Sequence, residues 1–169
     1  MYDGGIRSPM FAYWPGSIKA GTTSEHVSAF WDMLPTFSEL TGEPIVGETD
    51  GISLLPTLLG NPKEQKQHQH LYWELYEGVP NSAVRYGKWK AVVLNRRKKL
   101  DIELYNLETD PCESENIANQ HPEIVEKMKN FMNNSHQTNP FWDASNSPLF
   151  NADAAAKANG VKADYNNSY

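Results

Sequence analysis

Ala83-Val-Arg-Tyr-Gly-Lys-Trp-Lys-Ala-Val-Val93 reads as two strands folded over a Tyr86-Gly87 turn, and this stretch decides the fold. Working outward, Leu71–Tyr76 before it and Ile102–Tyr105 after it carry the same half-buried pattern, giving four candidate strands with Ser82–Tyr86 and Lys88–Leu94. The connections hold Gly78-Val79-Pro80-Asn81, Gly87 and the basic run Arg96-Arg97-Lys98-Lys99, as an antiparallel meander requires. His121-Pro122 then opens the clearest helix. Ile124, Val125, Met128, Phe131 and Met132 fall on one face, Pro122 suits the first helical position, and acidic residues precede basic ones. That apolar stripe needs a partner, and the sheet is the obvious one. The expected class is α+β: a four-stranded antiparallel sheet packed by a C-terminal helix.

Upstream the pattern is less regular. Met10-Phe-Ala-Tyr-Trp14, bounded by Pro9 and Pro15-Gly16, predicts a buried strand, and Val27–Phe30 a second extended piece. Asp32 is placed to cap a helix through Leu34, Phe37 and Leu40 that stops before Gly42. Leu54–Leu59 predicts a short helical piece ending at Gly60. Asn61-Pro-Lys-Glu-Gln-Lys-Gln-His-Gln-His70 has no apolar side chain and reads as a polar linker. His68 and His70 within it are too few for a metal site, which takes three or four ligands. Residues 138–169, rich in Asn, Ala and Asp, read as an extended arm with one marginal helix at Ala152–Ala158.

The 169 residues suffice for one domain, or one and a half, with a real core. No apolar run approaches the ~20 residues of a membrane helix. Met1 is followed by Tyr2-Asp3-Gly4-Gly5, without the basic and apolar regions of a signal peptide. Charge is uneven: net −5 over residues 1–60, +6 over 61–100 and −7 over 101–169. A basic middle within an acidic chain marks a local electrostatic feature rather than nucleic-acid binding. It also fits the solvated tip of a hairpin. Cys112 is the lone cysteine, so no internal disulfide forms, and its acidic neighbours disfavour a reactive thiolate.

Read in order, several pieces resemble the C-terminal third of type I sulfatases, in the alkaline-phosphatase superfamily. They are Tyr2-Asp-Gly-Gly-Ile-Arg-Ser-Pro9, Trp14-Pro-Gly16, Asp32-Met-Leu-Pro-Thr36, Asp50-Gly-Ile-Ser-Leu-Leu-Pro56, Leu71-Tyr-Trp-Glu74 and Ala83–Lys90. Glu103-Leu-Tyr-Asn-Leu107, Asp110-Pro111 and Asn116-Ile-Ala118 complete the series, which covers roughly residues 2–132. Gly4-Gly5 would allow positive φ and a close backbone approach. Trp73 and Trp89 would anchor a half-buried sheet.

The resemblance implies a full-length enzyme with a Cys-x-Pro-x-Arg cysteine oxidised to formylglycine, calcium held by Asp and Asn, and a sulfate-gripping lysine, all ahead of the Gly-Gly motif. That lysine would fall a few residues before Met1. Cys112 is followed by Glu113-Ser114-Glu115 and is not the formylglycine precursor. No catalytic residue and no metal ligand therefore carries over, and the chain alone is expected to be inactive. The implied organisation is the end of a truncated α/β domain, its last strand and helix, at residues 1–62. A C-terminal sulfatase subdomain follows at 63–137, then a tail at 138–169. Substrate contact is expected from Arg96 and Arg97, whose guanidinium groups suit sulfate, and from Glu74 and Glu77 toward sugar hydroxyls. The expected substrate is a sulfated small molecule or glycan, in a periplasmic or secreted setting, with self-association of the exposed N-terminal part. A phosphodiesterase or phosphonate hydrolase of the same superfamily and a non-catalytic module binding sulfated glycans are the alternatives.

Overall fold

The computed structural model describes residues 1–75, 81–96 and 99–137, in two compact units. One is Ser8–Leu71; the other joins Met1–Arg7 to the described residues from Tyr72 onward. The sequence boundary at 62/63 leaves Met1–Arg7 with the first unit. The structure groups them with the sheet, because Asp3 is the counter-charge of a lysine buried in it.

In the second unit, β1 (Leu71–Leu75), β2 (Asn81–Tyr86), β3 (Trp89–Arg96) and β4 (Lys99–Asn106) form a four-stranded meander in the order β1-β2-β3-β4. β2 pairs antiparallel with β3 from Ser82↔Val93 to Tyr86↔Trp89, and β3 with β4 from Trp89↔Asn106 to Arg96↔Lys99. Alternation along the strands sorts their side chains onto two faces. Val84, Ala91, Val93 and Leu104 lie under Val125, Met128 and Met132 of a long helix, α4 (Pro122–Ser135). Its stripe docks as its spacing predicts, and Ser82 Oγ meets Met132 Sδ at 3.8 Å. Around this core Tyr86 tilts against Phe131, with ring centroids 5.3 Å apart, and Lys127 Nζ sits 3.9 Å over the Tyr86 ring.

The opposite face, Ala83, Val92 and Tyr105, packs with Met1, Tyr2, Trp73 and Leu94. Met1 and Tyr2 lead into a single helical turn, α1 (Asp3–Ile6). The unit is thus a sheet between a helix and the N-terminal segment. Gly4 and Gly5 lie inside that turn without positive φ, and an added Cβ at either would meet nothing within 4 Å. The close approach expected there is absent among the described residues.

Past β4, polar side chains replace ladder bonds. Asp110 Oδ2 accepts the N–H groups of Ser114 and Glu115 at 2.8 and 2.9 Å. Asn116 Oδ1 accepts those of Leu104 and Ala118 at 3.1 and 3.0 Å. In Asp110-Pro111 and Asn116-Ile117-Ala118, two of the pieces that carry the family resemblance, the polar side chain places an acceptor where backbone donors would go unpaired.

The Ser8–Leu71 unit is built on two helices, α2 (Met33–Thr41) and α3 (Leu55–Leu58), the former entered through a 3-10 turn at Phe30–Asp32. α2 ends at Gly42, whose φ of 76° closes it with an N–H bond to Ser38 O. Met10–Trp14 departs from expectation. It forms no strand, and Phe11 and Tyr13 are each 91% exposed. A strand is buried only by neighbouring chain, and none of the described residues pairs with this segment. Leu34, Phe37 and Leu40, on the predicted face of α2, are likewise exposed.

Asn61–His70 is fastened rather than free. Gln65 is buried, its Oε1 accepting from Thr57 N–H and Oγ1 while its Nε2 donates to the carbonyls of Ser53 and Lys66. Polar bonds hold this strap, so hydropathy alone does not reveal it. The arm at 138–169, with Ala152–Ala158, lies outside the described residues.

Candidate functional site

Arg96 ends β3, in register with Lys99; its side chain, Arg97 and Glu77 lie outside the described residues. Glu74 is described. On β1 its Oε1 accepts a hydrogen bond from Tyr72 Oη and lies 2.7 Å from Nδ1 of His136, the residue closing α4. A carboxylate between a phenol and an imidazole joins the sheet edge to the end of the helix, and both side chains of the His136–Glu74 pair are largely shielded.

Two further constellations carry most of the buried charge. In the sheet unit, Lys90, the second residue of β3, is 0% exposed. Its Nζ donates to Asp3 Oδ1 at 2.6 Å and forms an ion-pair contact with Glu113 Oε1 at 2.7 Å. Asp3 N–H donates to the other Glu113 oxygen, closing a ring of three residues from α1, β3 and the turn after β4. Glu113 holds this place in a left-handed backbone, φ 53°, the sole such non-glycine residue among those described. The strain is tolerated because its carboxylate is engaged twice.

Beside the ring, the hydroxyls of Tyr2 and Tyr105 both donate to Glu103 Oε2. Burial first, then Glu103 and Tyr2, push the Tyr105 phenol well above its ordinary value, so it remains a donor at any physiological pH. Sequence reading missed this ring, though a signal was present. Lys90 shares the parity of Val92 and Leu94, and a lysine on an inward-facing position requires a buried carboxylate.

In the Ser8–Leu71 unit the corresponding charge is Asp32, 0% exposed. It stands at the cap position of α2, but its side chain does not bond the helix. Oδ2 accepts Ala29 N–H at 2.7 Å; Oδ1 accepts Ile52 N–H at 2.9 Å and lies 2.8 Å from His68 Nε2. Thr36 Oγ1 extends the network, donating to Asp32 O and accepting Leu54 N–H. Ile52 can come this close because residue 51 is glycine: a Cβ there would sit 2.3 Å from the carbonyl oxygen of Trp31.

His26 and His70 complete the group. Burial, reinforced by His68, holds both imidazoles below the ordinary histidine value; at His26, Asp32 and Gln67 oppose the shift. An Asp-oriented imidazole can act in acid–base chemistry, yet among the described residues no hydroxyl or thiol nucleophile is bonded to His68. Among the described residues, no three His, Cys, Asp or Glu side chains are grouped to hold a metal.

A meander backed by one helix, with its second face closed by the Tyr2-Asp3-Gly4-Gly5 segment, is the α+β arrangement of sulfatase C-terminal domains. More particularly, residues 1–138 match the family described as N-sulphoglucosamine sulphohydrolase, C-terminal, and the chain belongs to that family. It is similar to human arylsulfatase A, 34% identical over 153 residues, covering 76% of this chain and 30% of the relative. Mouse N-acetylgalactosamine-6-sulfatase is 32% identical over 119 residues, covering 69% of this chain and 22% of the relative. A structure solved in complex with its substrate D-glucosamine-2-N,6-O-disulfate superposes with a TM-score of 0.60 at 23% identity, over 72% of this chain and 26% of that one. The chain therefore spans less than a third of the length of these relatives.

Proposed function

We propose that this chain is the C-terminal portion of a sulfatase whose full-length form hydrolyses sulfate esters of a carbohydrate. The family match over residues 1–138 carries the reading. The relatives' names favour sulfate esters over the phosphodiester and phosphonate alternatives. The residues described here fit neither formylglycine nor calcium: Cys112 lies outside Cys-x-Pro-x-Arg, and no carboxylate cluster is poised for a cation. On this reading both groups are held by residues encoded ahead of Met1.

What this portion contributes is placement. Lys90, Asp3 and Glu113 fix the Gly-Gly segment to the sheet. The basic run Arg96–Lys99 would supply cationic donors for an anionic substrate, and Glu74 and Glu77 acceptors for sugar hydroxyls.

The test is the coding sequence upstream of Met1, which should encode Cys-x-Pro-x-Arg in frame. The joined protein should hydrolyse an aryl sulfate, whereas the 169-residue chain alone should show no turnover above a mock-purified control. Absence of the motif upstream, or turnover by the chain alone, overturns the proposal.

A further inference from the structure

The His68 ring is held on one side and open on the other. Its Nε2 lies 2.8 Å from Asp32 Oδ1. A carboxylate only accepts, so Nε2 carries the N–H and the lone pair of the neutral ring is on Nδ1. Nδ1 makes no hydrogen bond among the described residues and is not shut off from solvent, whereas both ring nitrogens of His26 are. Asp32 is fixed in turn, since Ala29 N–H binds one of its oxygens and Ile52 N–H the other. Gln65 fastens the strap through four bonds of its own, so the strap does not depend on the His68–Asp32 pair alone. A buried carboxylate held by backbone amides and bonded to the far nitrogen aims an imidazole for acid–base or nucleophilic work. The hydroxyl in this network, Thr36 Oγ1, is engaged on both sides, by Asp32 O and Leu54 N–H. The ring itself is then the nucleophile.

We propose that His68 is a second reactive site of this chain: an imidazole nucleophile, aimed by Asp32, that acts on activated acyl groups. Nδ1 attacks the carbonyl carbon of an aryl ester, the bond from that carbon to the phenolic oxygen breaks, and the phenoxide leaves. The Nε2 proton stays in the bond to Asp32, whose charge balances the acylated ring. Water then adds to the carbonyl, the carboxylic acid departs and the neutral ring is restored, so the net change is ester plus water to acid plus phenol. The class follows from the leaving group, because an imidazole displaces aryl oxides far better than alkoxides. Aryl sulfates, anionic at the reacting group, lie outside it, so this site stands or falls apart from the reading of the longer protein.

The test is hydrolysis of p-nitrophenyl acetate by the whole chain at about pH 7.5, where an ordinary imidazole is neutral, against a mock-purified control. His68→Gln keeps an N–H donor toward Asp32 and should remove more than half of the rate with the melting temperature unchanged. His121 supplies the comparison: its side chain is 36% exposed against 10% for His68, but its Nδ1 stands 3.6 Å from Glu123, too far for a hydrogen bond. If exposure alone set the rate, His121→Gln would take the larger share; the expected result is no change. Asp32→Asn should lower the rate as His68→Gln does. If circular dichroism shows that Asp32→Asn does not fold, brief exposure of the wild type to diethyl pyrocarbonate decides, with peptide mapping expected to find His68 acylated ahead of His121. A wild-type rate in His68→Gln or in folded Asp32→Asn, or acylation of His121 ahead of His68, overturns the proposal.

Discussion

Replacing Lys90 with methionine keeps the length and apolar stem of the side chain and removes only the ammonium. Asp3 and Glu113 then remain buried with no counter-charge, 2.6 and 2.7 Å from where it stood. Breaking a buried pair by deleting one partner costs about 3–5 kcal/mol, a large fraction of the ~5–15 kcal/mol that holds a domain folded. With a urea dependence of about 2 kcal/mol per molar, the unfolding midpoint of the sheet unit should drop by roughly 1.5–2.5 M, followed by circular dichroism.

The triple variant Lys90→Met/Asp3→Asn/Glu113→Gln should regain more than half of the loss, since neutralising all three groups removes the uncompensated charge. A loss under about 1 kcal/mol in Lys90→Met, or no recovery in the triple variant, would refute the view that this ring fastens Met1–Arg7 to the sheet.

Other positions separate backbone strain, sterics and surface effects. Glu113→Gly and Glu113→Ala both lose the carboxylate, but φ 53° suits only glycine without strain, so the glycine variant should be the more stable by about 1 kcal/mol in urea unfolding. Gly51→Ala drives a methyl to 2.3 Å from a backbone oxygen and should destabilise the Ser8–Leu71 unit by about 1–3 kcal/mol, seen as a lower Tm by calorimetry. The exposed Phe30, Leu34 and Phe37 should make the purified chain associate with concentration in light scattering, and Phe37→Glu should reduce this; a wild-type monomer at high concentration contradicts it. In the proposed full-length sulfatase, Arg96→Ala/Arg97→Ala should lower kcat/KM on a sulfated oligosaccharide by about tenfold or more and on a small aryl sulfate much less; equal, negligible losses return this basic run to a solubilising role.

The sheet and α4 were legible because their side chains obey one period each: two along β2, β3 and β4, and nearly four from Ile124 to Met132. Where bonding rather than burial fixes the chain, sequence pattern fell short. Asn61–His70 has no apolar residue, so nothing marks Gln65 as a buried group with four hydrogen bonds. Asp32 read correctly as the residue before a helix but not as the acceptor of three donors from elsewhere in the chain. Met10–Trp14 failed in the opposite way: its apolar run reports what the segment would bury against a neighbour, and no described residue supplies one. Of the residues expected to meet substrate, Glu74 is in view; its partner His136 was not foreseen because 62 residues separate the imidazole from the carboxylate, whereas Tyr72, two residues away on the same strand face, could have been.

The span of the Lys90 ring also bears on how the chain is made. Asp3 lies 87 residues before the lysine that neutralises it and 110 before the glutamate that its amide binds. At a translation rate of ~5–20 residues per second, Asp3 waits roughly 5–20 s for both partners to be synthesised. Tyr2 likewise waits 101 residues for Glu103. Closure of the sheet's second face by Met1–Arg7 therefore waits until β3 and the turn after β4 have been made.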